Sequence, residues 1–207
     1  MNYLLPLWLL LFVSLPFAAW AEEEGELDRV LAGLKVSAAG IETLASDFTQ
    51  EKHLEIFRET LVSQGRFYFA RPDKLRWETT APVASGFLLN GSGGKRWHQR
   101  AGAPVPFDLG REPGMKLIAE QLLAWARVDL DWLKERYHLT LVGTAPVTLR
   151  LIPRQAAAKQ YLDHLLIAFD AAGRHVANVE VHEQGGDFTL IRFDGAVLNQ
   201  PLAPDLF

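Results

Sequence analysis

The chain of 207 residues contains no cysteine. That absence excludes disulfides, thiolate metal sites, a cysteine nucleophile and lipidation at a signal-peptide cysteine, because each needs the thiol. Charge is sparse as well: the first 21 residues carry none and the whole chain nets only −4. So mild an acidic balance offers no basic patch for nucleic acid and no polybasic tether to a membrane, and no nucleic-acid partner is expected. Catalytic signatures are missing too. There is no Gly-x-Ser-x-Gly elbow, and Gly91-Ser92-Gly93-Gly94 lacks its spacing. The histidines His53, His98, His138, His164, His175 and His182 form no His-Glu-x-x-His pair, and no glycine-rich loop with a lysine follows a strand-like segment. His175 and His182 lie seven residues apart on one strand-like segment, which points them to opposite faces. Neither a metal, a cofactor nor an enzymatic activity is expected.

What is present begins with an apolar run from Leu4 to Phe17, closed by Ala19-Trp20-Ala21 and followed abruptly by Glu22-Glu23-Glu24. The small-x-small close is the pattern signal peptidase reads. Residues 1–21 are therefore expected to be a cleaved signal peptide, and residues 22–207 a single exported domain working in a bacterial periplasm.

Past that segment, Leu27, Val30, Leu31, Leu34, Ile41 and Leu44 recur at helical steps, predicting one amphipathic helix or a helix broken near Gly40. The period then changes to two. Ser63, Gly65, Phe67 and Phe69 share one strand face, Leu75, Trp77 and Thr79 another, and Arg71-Pro72-Asp73-Lys74 supplies the turn between them. Phe87 and Leu89 mark a third strand, Asn90 to Gly94 a loop, and Lys95 to Gln99 a fourth strand. The Pro- and Gly-rich stretch Ala101 to Gly114 breaks the strand pattern, and helical spacing returns over Met115 to Arg127 through Ile118, Leu122 and Trp125, with Trp132 and Leu133 extending it. Strands are expected at His138–Val142, Val147–Ile152, Tyr161–Phe169, His175–Glu183 and Asp187–Phe193, with hairpins at Gly173 and Gly185-Gly186. The fold class is α+β, an antiparallel meander interrupted by helices.

Several strands do not alternate cleanly. Leu162 and Leu166 oppose Leu165, Ile167 and Phe169, and Phe188 and Leu190 oppose Ile191 and Phe193, so part of the sheet is expected to be covered on both sides. A strongly curved sheet around short helices would enclose either a packed core or an apolar hollow able to take an apolar ligand. The pattern alone leaves both open.

Phe48-Thr49-Gln50, then Ser63-x-Gly65-x-Phe67, Arg71-Pro72-x-x-Leu75-x-Trp77, Pro82 and the closing hairpin Gly173–Phe193 resemble the periplasmic outer-membrane lipoprotein carrier family known as LolA. The likeness runs from about Ser46 to Phe207. It implies an open, incomplete antiparallel β-barrel whose concave face is closed by helices, holding acyl chains of lipoproteins for transfer from inner to outer membrane. The implied acyl cavity comprises Phe67, Phe69, Leu75, Trp77, Phe87, Leu89, Ile118 and Leu122, and the arginine of the Arg-Pro motif, Arg71, is implied to hold the helical lid shut. Implied partners are acylated lipoprotein or lipid cargo, an inner-membrane transporter and an outer-membrane acceptor, with the carrier a monomer. The same resemblance admits a lipid-sensing regulatory domain, or a carrier of another amphiphile such as a glycolipid. The segment Asn90 to His98 is longer and more basic than the family's usual turn, and together with the Ala101 to Gly114 loop it leaves the choice of cargo open.

Overall fold

A computed structural model describes residues 17–56 and 59–207. The expected signal segment lies outside the described residues up to position 16, and the first helix, α1 (Phe17–Ala38), runs through the expected cleavage point after Ala21. Eleven strands follow in one antiparallel sheet. The first six are β1 (Thr43–His53), β2 (Leu61–Ala70), β3 (Lys74–Ala81), β4 (Ser85–Asn90), β5 (Gly93–His98) and β6 (Val105–Asp108). Two helices, α2 (Pro113–Arg127) and α3 (Leu130–Arg136), then lead to β7 (Tyr137–Thr144) and β8 (Val147–Pro153). A single turn, α4 (Ala156–Lys159), precedes β9 (Leu162–Phe169), β10 (Val176–Glu183) and β11 (Phe188–Leu198).

The spatial order is β6-β5-β4-β3-β2-β1-β11-β10-β9-β8-β7, so two meanders are joined where the first strand pairs with the last. The free edges, β6 and β7, are exactly the strands that α2 and α3 connect along the chain. The sheet is therefore an open barrel with its helical segment linking the two edges, as the expected fold class required.

Along β2, β4, β8 and β9 one face is buried with a period of two. Gly65, Phe67 and Phe69 on β2, Leu75 on β3, Phe87 and Leu89 on β4, and Leu165, Ile167 and Phe169 on β9 all point inward. At Gly65 a side chain would collide with the Glu78 carbonyl oxygen and the Phe48 ring, so only glycine lets Phe48 lie across β2 and stack on Trp77 at 4.1 Å between ring centres. From the helices, Leu31 and Leu34 of α1 and Ala119, Leu122, Leu123 and Trp125 of α2 join the same core.

Four expectations are corrected. The first helix stops at Ala38; Ile41 lies in the link that follows, and Leu44 belongs to β1, where Leu44, Ser46 and Phe48 face inward. A polar residue at the middle inward position hid the period of two. The Asn90–Gly94 loop is only a two-residue turn at Gly91-Ser92, because Gly93 and Gly94 are strand residues, and Gly94 admits the Phe107 ring against β5. Phe107 itself comes from β6, a strand inside the stretch expected to break the pattern. Finally, among the described residues the sheet carries no second apolar layer over Leu166, Phe188 and Leu190. They stay half-buried on the convex face, where Leu166 and Leu190 lie beside Glu180 and Arg192 across a shallow hollow.

The helical stretch is also divided. Val128 takes a left-handed conformation (φ 52°), closing α2 through backbone bonds to Ala124 and Trp125, and Asp129 caps α3 by accepting from the Trp132 N–H at 3.0 Å. A β-branched residue in that region is strained, so the α2–α3 corner is fixed by its surroundings rather than by local preference.

Candidate functional site

Between α2 and the concave face lies a cavity of about 470 Å³. Trp77 and Phe87 form its wall on β3 and β4; Leu117, Ile118, Gln121, Leu122 and Trp125 descend from α2; Tyr137 comes from β7. Ala158 and Tyr161 of the α4 region, Leu162 and Leu165 of β9, Val181 of β10 and Ile191 of β11 complete it. No side chain in this lining is ionised at neutral pH. The volume is that of a ligand site rather than a packing defect.

The helix presents this surface for a simple reason. Ile118, Gln121, Leu122 and Trp125 are spaced three and four apart, which sets them on one stripe. Leu117 and Ile118 remain 60% and 48% exposed, so the stripe runs from the interior out to the rim. Polar groups in the lining are few. The Tyr137 hydroxyl donates to Gln121 Oε1 at 2.7 Å, and burial pushes the Tyr137 ionisation up to about 12, with Arg136 opposing. Charges gather outside: Arg136 Nη2 bonds Glu120 at 3.3 Å, and its guanidinium lies 4.3 Å from the Trp132 ring centre. A separate, water-sized void of about 10 Å³ sits deeper, bounded by Ser46, Phe67, Trp125 and His175.

Of the residues expected in the acyl cavity, Trp77, Phe87, Ile118 and Leu122 lie on its wall. Phe69, Leu75 and Leu89 do not: each has no exposure and belongs to the packed core, and Phe67 borders only the small void. Strand parity assigns a face but not a depth along it, and these residues sit where the sheet closes tightly. Leu165 and Ile191 were missed because the far wall, β9 to β11, reads as ordinary core in the sequence, and Tyr137 and Tyr161 because each stands at the start of a strand with no pattern tying it to the α2 stripe. Gln121 and Trp125 carried a signal, since they complete the stripe begun by Ile118 and Leu122.

Arg71 donates through Nε to the Ile41 carbonyl at 2.6 Å, which ties the α1–β1 link to the β2–β3 turn. The bond from α2 to that turn is made by Arg127, in the helix's last turn, which donates to the Pro72 carbonyl. The link after α1 and the end of α2 thus both meet at the Arg-Pro turn, through different arginines. The basic segment of β5 reaches the start of α2, where Arg96 pairs with Glu112.

Three histidines that are remote in sequence come together on the convex face. His164 of β9 stacks on His182 of β10 at 4.2 Å, His182 on Phe188 of β11 at 5.5 Å, and Phe188 on His53 of β1 at 4.2 Å. Each histidine has its own carboxylate: Asp163, Glu180 and Glu51 respectively. Hydrogen bonding from His164 holds the Asp163 carboxyl below its usual range, against burial. The registers His164↔His182, His182↔Phe188 and Phe188↔His53 reveal this row, and registers are not legible before the hairpins are known. Among the described residues no group of three His, Asp or Glu is placed to hold a metal ion.

An apolar hollow in an open sheet, with a helix across it and charge confined to the rim, defines a binding protein for apolar ligands. Residues 39–207 match the model of the family described as outer membrane lipoprotein carrier protein LolA, and the chain belongs to that family. The family consists of carriers, not enzymes. A curated relative named outer-membrane lipoprotein carrier protein, from Methylococcus capsulatus, is 26% identical over 203 residues, covering 94% of this chain and 90% of the relative. Among solved structures, an uncharacterized conserved protein of Thermus thermophilus superposes with a TM-score of 0.53 at 8% identity, over 86% of this chain and 90% of that one. A chain from the Pseudomonas aeruginosa MucA/MucB complex gives 0.51 at 14% identity, over 87% of this chain and 59% of that one. These two likenesses concern the fold. No helix among the described residues is long and apolar enough to cross a membrane.

Proposed function

We propose that this chain is a periplasmic carrier that shields the acyl chains of lipoproteins in the 470 Å³ cavity while they pass from inner to outer membrane. The observation that carries the reading is the lining, which is mostly apolar from the core to the rim and holds no ionised side chain. Each methylene removed from water contributes about 0.8 kcal/mol, so an acyl chain leaves a membrane at useful rates only if something hides it. A carrier must also let go. The helical segment meets the Arg-Pro turn through one hydrogen bond, from Arg127 to the Pro72 carbonyl, worth about 1 kcal/mol net and weak enough to be exchanged for cargo.

In this reading residues 1–21 direct export and are removed, the mature chain acts as a monomer, an inner-membrane transporter loads it and an outer-membrane acceptor unloads it. Native mass spectrometry of protein purified from a bacterial periplasm tests the proposal. A co-purifying mass with acyl fragments supports it, and the size of the remainder separates lipoprotein from glycolipid. No such mass, together with no binding of a fluorescent acyl-ester probe, would overturn it.

A further inference from the structure

A second hollow, of about 330 Å³, lies beside the acyl cavity. Phe87 pairs with Arg96 and Arg96 with Val105, so the three stand in one row across β4, β5 and β6 and share the concave face. All three border the hollow, together with Ala101 and Ala103 of the β5–β6 loop and Met115 in the first turn of α2. The Arg96 guanidinium is already paired with Glu112, and Val105 is 47% exposed. The two hollows adjoin along both walls. Phe87 borders each of them, and Met115, which borders the second, is three residues from Ile118, which borders the first. Phe87 is held edge-on to Phe107, 6.3 Å between ring centres, so its ring stands as a partition.

Volume decides what the adjacency is for. A methylene fills roughly the space of one liquid water, about 30 Å³, so roughly 16 of them fill the 470 Å³ cavity. That is one ordinary acyl chain, and a cargo with two leaves its second outside. The neighbouring hollow has room for about 11 methylenes more. Resting on the reading that the cavity holds acyl chains, we propose that the hollow between Phe87, Val105 and Met115 is a second acyl subsite, so that a two-chain amphiphile is bound with one chain on either side of the Phe87 ring. Both chains start from the same rim, where Met115 and Ile118 are neighbours on α2. A chain in the second hollow covers the exposed part of Val105 and meets a guanidinium whose charge is already compensated.

Methyl laurate and dilauroylglycerol, one chain against two of the same kind, test this on the full exported chain at neutral pH by displacement of a fluorescent acyl-ester probe. Wild type is expected to bind the two-chain ligand roughly 100-fold more tightly. Two variants close the second hollow by different means: Ala103→Trp fills it, and Val105→Lys brings an unpaired charge beside Arg96. Both positions are exposed and neither borders the acyl cavity. In each variant the preference for two chains is expected to fall roughly tenfold while methyl laurate binds as before. A preference unmoved in both variants, or a wild type that binds the two ligands equally, overturns the second subsite and leaves the acyl reading standing. So does a parallel loss of methyl laurate binding, which would lay a single chain across both hollows. Binding of neither ligand by wild type removes the acyl reading itself.

Discussion

Ile118 offers the sharpest test of where cargo sits, because it faces the cavity yet is 48% exposed. The empty protein should therefore tolerate Ile118→Glu, as substitutions at half-exposed helix positions change stability by about 0.5 kcal/mol or less. Binding is different. The half of the side chain that ligand would cover is worth about 1 kcal/mol of apolar burial, and covering a carboxylate instead adds a further penalty of about 1–3 kcal/mol. Together these amount to about 2–4 kcal/mol, which weakens acyl binding roughly 30- to 700-fold. The assay is probe displacement alongside thermal unfolding, with Val142→Glu as the control. Val142 is 59% exposed on β7 and borders no part of the cavity, so the same charge there should leave affinity unchanged. Equal affinities for the two variants would refute the location of the site, whatever their stabilities.

Leu75→Ala should show the reverse separation, lowering stability by about 3 kcal/mol in denaturant titration while the folded fraction binds acyl probe as before, since Leu75 is fully buried in the core. Arg127→Ala should accelerate amide exchange in α2 by roughly fivefold, and Arg71→Ala should do so in the α1–β1 link; the converse pattern would return the lid contact to Arg71. The Asp170 carboxyl is pushed up by burial, but backbone N–H groups of His175 and Arg174, the charge of His175 and the Arg174 guanidinium outweigh this and hold it below its usual value. Its contribution is therefore present above about pH 4, the unfolded value, and lost as the pH falls further through the folded one. Asp170→Asn should flatten that part of the acid-unfolding profile, and an unaltered acid limb would show that the group is not linked to folding.

Much of the architecture is legible in the sequence because parity and turns are local properties. The inward faces of β2 and β3 follow from Phe67, Phe69, Leu75 and Trp77, and the turn between them from Arg71-Pro72-Asp73-Lys74. β1 was disguised because Ser46 occupies an inward position and Ile41 and Leu44 happen to continue a helical interval. The site was half legible. Its helix stripe can be read from spacing, but whether an inward leucine packs or borders a hollow depends on how tightly the sheet curves at that height. Curvature is a property of the whole ladder, and so Phe69 and Leu89 share a face with Trp77 and Phe87 without sharing their surroundings.

The strand order has a mechanical consequence. Because β6 and β7 are the two edges, the wall behaves like a cuff whose ends meet only at a clasp, and the clasp is α2 and α3. Spreading the ends severs none of the ladder bonds that hold neighbouring strands together. The two edges are thus held together across one seam by side-chain contacts and by the chain itself, with no rung of the ladder between them.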